Sequence, residues 1–588
     1  MRARIWFRRA AIAAALLIFA APAFAQNSPI VERLPKDTKF LVLWHGTKSL
    51  ESVSRSNPLL RLMGEPSAAP LMHYISSQFS ESFEKNSKEV NLSKEDMDTL
   101  LTVVRENSGA IGSIDLPASK EAGASHDGSE KQSVTFIVFD VSGKQDVIGK
   151  IIAREKAAAP DGAMPEHFQV GSVSVTKRTK DGKASYDALV SHYVVSCEDL
   201  GVMKTLIARF GATEAPKESL LDSPGYRAVG HAMNQGGGVL EFYAAMPDLK
   251  EMAPKQGNSF QNDKFMRAMK ADHIRAFGGS VQFNSNDTRL KFGVLGDTAA
   301  GGLFDAVGAG VPSFVTLPLA GPGSSYNVWR LNLSSFYQTV KAGLQASLSE
   351  EDFAKMNMGE AFAGVALGMT LDEALELFTG EFAFISKGSF DNKNNLLVAV
   401  TIEDPEKVNK AFETALPGRL HALPSSGTTK FMSISANAQG GEGSSDPPTQ
   451  VGVEASAPSA AFVAIAPNML LVAQDEKTLR EAAERLGKGV PPTGGLATNP
   501  NFLDARGLLP GELSGFQFTD MTNVPWSKLV EEARKENATK AESGDHDAQG
   551  LSDALRQLDP AIFAEYLHIE TSGCWKDSNG VYFETVIR

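Results

Sequence analysis

Ser174 and Lys177 stand three residues apart, the spacing at which a lysine can take the proton of a serine nucleophile, and Ser82 and Lys85 repeat it. Enzymes of that kind also need S-D-N and K-T-G, and neither triplet occurs in the chain. Ser174 and Lys177 fall in the alternating run "SVSVTKRT", which predicts hairpin positions instead. A nucleophile elbow, G-x-S-x-G, is absent, as are H-E-x-x-H and C-x-x-C. Asp545, Asp547, Gln549, Gly550 and Asp553 occupy positions 1, 3, 5, 6 and 9 of a calcium loop, but position 12 holds Arg556 where a bidentate glutamate belongs. A cation there opposes calcium, and Asp553 with the polar run before it also suits a helix start. His45, in "LWHGT", follows an apolar run and reads as a strand-end or core residue. "SGKQD" at Ser142 lacks the first glycine and the Ser/Thr of a phosphate loop, and "GAGVPS" lacks the third glycine of a dinucleotide turn. The two cysteines, Cys197 and Cys574, make no disulfide framework. Two unpaired buried thiols are the expectation, with one bridge between them as the alternative. No catalytic, cofactor-binding or metal-ligating residue is assigned.

The elements that would position any site are written twice. "SLLDSPGY" (Ser219–Tyr226) and "GLATNPNF" (Gly495–Phe502) share one build, and Pro224 and Pro500 lie 276 residues apart, as do Tyr226 and Phe502. The spacing runs without a gap from Tyr186 to Phe242 and pairs Asp199 with Asp475, Arg209 with Arg485 and Phe242 with Phe518. It also sets Glu241 against Gln517 and Ala244 against Asp520, where divergence between the halves would mark a site. "YDALVSHYVVS" and "FVAIAPNMLLV" each read as two strands about a two-residue turn, followed by a helix closed by glycine. "IRAFGGSVQFNSNDTRLKFGVLG" and "YLHIETSGCWKDSNGVYFETVIR" read as hairpins.

These patterns predict an α+β fold of two homologous repeats, residues 28–296 and 312–588, each with a mainly antiparallel sheet and packed helices, ferredoxin-like elements among them. The Gly/Ala-rich residues 297–311 are the expected linker. Polar insertions at "PASKEAGASHDGSEKQS", at Ala436–Ser459 and at Asn537–Gly550 are expected as mobile loops. Thr370 and Glu373 form a capping-box pattern in a helix that Gly380 should end, and Pro405 suits the first turn of another.

Arg2, Arg4, Arg8 and Arg9, the apolar run Ala10–Ala21 and "AFA" at Ala23–Ala25 predict a signal peptide over residues 1–25, cleaved after Ala25. A periplasmic or extracellular destination follows. Removing those arginines takes the formal charge from −13 to −17. An acidic chain without clustered cations is a poor nucleic-acid binder. No later apolar run reaches the roughly 18 residues of a membrane span, so no transmembrane anchor is expected after cleavage.

The "LPxDT" opening at Leu34–Thr38, the "helix-GE-strand" segment at Leu371–Ile385 and the "SL-x-x-x-P-x-aromatic" phrase resemble a family of exported bacterial proteins catalogued as a domain of unknown function. That resemblance spans most of the mature chain and implies no activity. Two functions stay open: a non-catalytic protein binding a partner protein or an apolar ligand of the cell envelope between its halves, or an envelope-associated hydrolase with an unrecognised site.

Overall fold

The computed structural model describes residues 29–50, 52–75, 77–78, 94–116, 132–154, 165–180, 183–233, 239–246, 259–307, 310–321, 323–378, 380–387, 396–435, 461–487 and 495–588. The expected signal peptide, Ser82–Lys85, the polar insertion after Leu116 and the Ala436–Ser459 insertion lie outside the described residues.

In chain order the first half contributes β1 (Thr38–Trp44), β2 (Gly109–Leu116), β3 (Gln132–Asp140), β4 (Glu166–Val170), β5 (Val173–Lys180), β6 (Lys183–Val190), β7 (Tyr193–Cys197), β8 (Leu240–Ala245), β9 (Ile274–Phe283) and β10 (Thr288–Gly296). The second contributes β11 (Ser324–Leu331), β12 (Gly380–Lys387), β13 (Leu396–Thr401), β14 (Leu420–Ser426), β15 (Thr429–Ile434), β16 (Ala461–Ala466), β17 (Met469–Ala473), β18 (Gly515–Asp520), β19 (Ile569–Asp577) and β20 (Gly580–Ile587). Followed partner by partner, the order is 4-5-6-7-3-2-1-8-9-10-20-19-18-11-12-13-17-16-15-14. Read inward from either end the sequence of connections is the same, and the two series meet at β10 and β20. Every pairing is antiparallel, so the fold is α+β; the parallel pair at the centre of a ferredoxin-like unit is missing among the described strands.

On the front face, helices Leu200–Phe210 and Pro224–Met233 cover the first half, and Glu476–Gly487 and Pro500–Gly507 cover the second. Asp199 caps the first of these by accepting from Val202 N at 2.9 Å, and Asp475 does the same for Thr478 N at 2.8 Å. Arg209 then donates to the carbonyls of Arg33, Leu34 and Glu218, while Arg485 donates to Leu319 O. Each arginine straps the segment leading into the first strand of its half to a front helix.

The Leu–Pro–aromatic phrase completes the strap. Leu220 N donates to Leu34 O at 3.0 Å, and Leu496 N to Ala320 O at 3.3 Å. Pro224 and Pro500 each begin a helix, where a missing N–H leaves no intrahelical bond unmade. Tyr226 meets Tyr243 edge-on at 5.3 Å, and Phe502 meets Phe518 edge-on at 5.3 Å. The spacing of 276 thus fails one turn before Phe242: β8 and β18 begin 275 residues apart, and the inward ring is Tyr243. One residue of slip turns a strand over, so Glu241 corresponds to Phe516 and Ala245 to Asp520. The contrasts expected at Glu241/Gln517 and Ala244/Asp520 are between positions on opposite faces.

Close approach of helix and sheet depends on glycine. A Cβ on Gly278 of β9 would stand 2.1 Å from Val229 Cγ1, inside the helix Pro224–Met233. On the back face, helices Lys94–Glu106, Gln145–Arg154 and Pro405–Ala415 cover the outer strands.

Two helical arms cross the central seam on that back face. Helix Ser259–Ala268, between β8 and β9, packs on Leu333–Ser347, between β11 and β12, with Phe265 and Met269 against Gly343. At the other end the helices between β18 and β19 pack on Pro58–Met63, between β1 and β2: Arg61 lies 4.7 Å over the Tyr566 ring, and Tyr566 Oη donates to Glu65. Each half reaches over the other.

Three local expectations change. Residues 297–306 form two packed 3-10 turns with Phe304 buried; Thr298 Oγ1 donates to Asp577 O at 2.6 Å and Lys576 Nζ to Phe304 O at 2.7 Å. Their glycines serve tight turns instead of looseness. Asn537–Gly550 is helical on both sides of a three-residue turn, Trp526–Glu542 and His546–Gln557, supported by pairs such as Lys540–Glu536 at 2.7 Å. Thr370 and Glu373 do form the capping box, but the helix ends at Glu376, and Gly380 opens β12 with φ of 107°.

Phe502→Ala removes a fully buried ring ringed by Phe516, Phe518 and Tyr326. It should cost about 3–5 kcal/mol in denaturant unfolding, as should Tyr226→Ala. A loss below about 1 kcal/mol in both would show that neither ring anchors its helix.

Candidate functional site

Among the described residues no nucleophile singled out in the sequence meets a base. Ser174 and Lys177 lie on β5 at an odd separation, so their side chains leave opposite faces, and Lys177 pairs with Glu166 at 3.0 Å. Asp545 caps a helix by accepting from Ala548 N at 3.0 Å, and Asp553 pairs with Arg556 at 3.1 Å. Their neighbours are spread around that helix and do not converge as a calcium loop would. His45 is half-buried just past β1, and its Nε2 stands 3.5 Å from Glu241 Oε1. The cysteines are free and buried in separate cores, Cys197 in front and Cys574 behind. Burial pushes each thiol up to about 12, which keeps both protonated and unreactive near neutrality. Among the described residues no group of three or more His, Cys, Asp or Glu is placed to hold a metal ion, and no helix is long and apolar enough to cross a membrane.

What the fold does assemble is a strip of back-face sheet at the seam, between the two arms. Strand register places Phe242, Gly279, Phe292, Phe583, Cys574, Gly515 and Trp329 in one row across β8, β9, β10, β20, β19, β18 and β11. The rings lie over the small residues: a Cβ on Gly279 would stand 2.1 Å from the Phe242 ring, and one on Gly515 2.5 Å from the Trp329 ring. Phe242 stacks on Phe292 at 6.0 Å, Phe292 lies 6.2 Å from Phe583, and Phe583 6.5 Å from Trp329.

On one side of this row the arm bearing Met266, together with Phe304, covers Val294 and Val581. On the other side Val53 and Leu59 cover Phe283 and Val281. Between them Phe292 is 38% exposed and Leu290 41%. Leu290 heads a second row through Thr585, Ser572, Gln517, Asn327 and Phe384, itself 36% exposed. At about 4.8 Å per strand this row runs roughly 24 Å. It has apolar ends and a polar middle, where Ser572 and Thr585 share a hydrogen bond of 2.8 Å and Asn327 Oδ1 has no partner among the described residues.

Glu570 stands on β19 two residues before Ser572, and burial raises its carboxyl above the ordinary glutamate range. Comparison with family models, with curated proteins and with solved structures finds no match for the chain.

The strip was not foreseen. Phe292, Phe583 and Trp329 are distant in sequence, and no local motif distinguishes them from core aromatics. Only the period of two along β10 and β20 signals that they share a face.

The raised Glu570 carboxyl gives a signed pH effect. The folded protein holds that proton more tightly than the unfolded chain, so this group's contribution is most favourable below its unfolded value and is lost as pH rises through the folded one. Glu570→Gln should therefore melt higher than the parent at neutral pH, and the gain should vanish in acid. Parallel melting curves from pH 4 to 8 would contradict a buried, strained carboxyl.

Proposed function

We propose that the protein is an exported, non-catalytic binding or scaffold protein whose two duplicated α+β repeats present one shared strip to a partner protein or an apolar ligand of the cell envelope. The observation that carries this reading is the exposure of Leu290 and Phe292 at the seam, between the stretches of sheet that the arms cover. Large apolar side chains left open in a bounded strip are the usual mark of an interaction surface. The strip's polar middle, with the Ser572 and Thr585 hydroxyls, suits an occupant that brings polar groups of its own. A further apolar exposure, Met358, Phe362 and Val365 on the arm helix Glu350–Leu367, adds to the same reading.

Duplication is supported by coincidence of elements. Helices or turns begin at Leu200 and Glu476, at Leu220 and Leu496, and at Pro224 and Pro500, always 276 apart. The strand registers make Lys291 of β10 and Glu584 of β20 both counterparts and neighbours, so an approximate two-fold axis passes between them. Two identical residues there would place like charges together. Lysine facing glutamate at 3.8 Å removes that repulsion. Export rests on the leader ending at Ala25. The hydrolase alternative gains nothing from the geometry, since among the described residues no candidate nucleophile is activated.

Replacing Leu290 and Phe292 by serine tests the reading. The double variant should fold with an unchanged far-ultraviolet spectrum yet lose most of the native-state fluorescence of bis-ANS, a dye that lights up on apolar surface. It should also lose any partner retained by the parent from envelope extracts. Unchanged dye and partner retention would remove the strip from the account.

A further inference from the structure

Helix Glu350–Leu367 has the composition of a covered helix and is not covered. From Met358 to Leu367 Glu360 alone is polar, yet none of the helix's eighteen described residues is buried. Ser349 starts it by accepting from Asp352 N at 3.1 Å, and Gly368 ends it with φ of 70°. Phe353, Met356, Ala363 and Leu367 form one stripe at helical spacing and are half-buried toward the neighbouring helices. The opposite stripe is Met358, Phe362 and Val365, at spacings of four and three. It stands in solvent, with Phe362 68% exposed and Val365 77%. A helix apolar on every side is ordinarily enclosed on every side. An open groove of about 840 Å³ runs beside the exposed stripe, between Ala361, Gly364 and Val365 on one side and Lys341 and Gln345 of helix Leu333–Ser347 on the other.

The surroundings carry one sign. Residues 333–376 hold seven carboxylates and two lysines, a formal charge of −5. Six of the carboxylates gather at the two ends of the stripe: Glu350, Glu351 and Asp352 in the first turn of the helix, and Asp372, Glu373 and Glu376 in the short helix that follows it. Both lysines are already engaged, Lys355 with Glu351 at 2.8 Å and Lys341 with Glu360 at 2.7 Å. Glu373 stays ionised, because the Thr370 backbone N–H and hydroxyl donate to it and hold its carboxyl below the usual range. This pattern selects the occupant. A second copy of the chain would bring carboxylates against carboxylates, and an anionic lipid surface would be repelled in the same way. A helix with an apolar middle and cationic ends complements both features.

We propose that the Met358–Phe362–Val365 stripe and its groove dock a cationic amphipathic helix of a partner protein, with lysine or arginine in its first and last turns. The mode is helix-in-groove recognition, in which apolar side chains at helical spacing anchor the partner and end charges set its direction of approach. The inference rests on the reading of the chain as a binding protein, but it does not use the seam strip.

Fluorescence anisotropy of a labelled model peptide titrated with the full chain tests the assignment. The peptide has about 18 residues, matching the roughly 27 Å of this helix, with lysines in its first and last turns and leucines and alanines between. It should bind saturably, one per chain, and several-fold more weakly in 0.5 M salt. A peptide with glutamates in place of the lysines should bind at least tenfold more weakly. Phe362→Ser should also weaken the lysine peptide at least tenfold while leaving the melting temperature unchanged, because the ring is exposed. The double variant Leu290→Ser, Phe292→Ser should bind the peptide as the parent does, which separates this site from the strip. No saturable binding, equal binding of both peptides, or binding untouched by Phe362→Ser would each overturn the proposal. So would sedimentation with phosphatidylglycerol vesicles, or self-association of the chain, that Phe362→Ser abolishes, since either would give the stripe a different occupant.

Discussion

The hydrogen-bonded pairing of β10 with β20 is the constraint on which the molecule turns. Each strand is the inner edge of its own ten-stranded series, and an unpaired edge is a template for uncontrolled association. Joining the two edges antiparallel, with Thr288 opposite Ile587 and Leu295 opposite Gly580, removes both at once. The join also fixes what must fill the front of the seam. Glu584 is nearly fully buried there, and it is tolerable because Arg289 reaches it at 2.9 Å while also bonding Asp287. A buried carboxylate stripped of either cation would be strongly destabilising. The second face is secured differently: the arms cross the seam in opposite directions, so each half clamps the other through apolar contacts at both ends.

This arrangement explains why the open strip lies where it does. Among the described residues the arms cover the sheet on either side of the axis and leave Leu290 and Phe292 exposed between them. Leu290, Phe292 and Phe583 are left as the floor, flattened by glycines that let neighbouring rings lie down on the sheet. An active site needs convergent polar groups of matched acidity. The strip offers rings, hydroxyls and carboxamides, and the perturbed groups near it, Glu570 and Cys574, are displaced by burial alone.

Much of the local structure was legible in the sequence because it rests on short-range rules. Thr370 and Glu373 close a capping box, and Pro405 begins a helix, as residue type and spacing predict. The repeated Leu–Pro–aromatic phrase correctly marked a buried strap. What escaped was long-range or a matter of one residue. Nothing in β10 or β20 distinguishes a seam from a solvent edge, since alternation is the same in both. The one-residue slip between the helix at Pro500 and β18 misaligned the pairs Glu241/Gln517 and Ala244/Asp520, an error that identity matching cannot detect. Polar composition at Asn537–Gly550 imitated a loop, although its charges are spaced as helix pairs.

Hydrogen exchange of the backbone amides of 288–296 and 580–587, followed by mass spectrometry on the native protein, tests the seam most directly. Paired as described, both segments should exchange as slowly as the adjoining β9 and β19, and neither should be protected without the other. Rapid exchange of alternate amides along β10 and β20, in the manner of free sheet edges, would mean that the halves are not joined there and that the strip does not exist as a single surface.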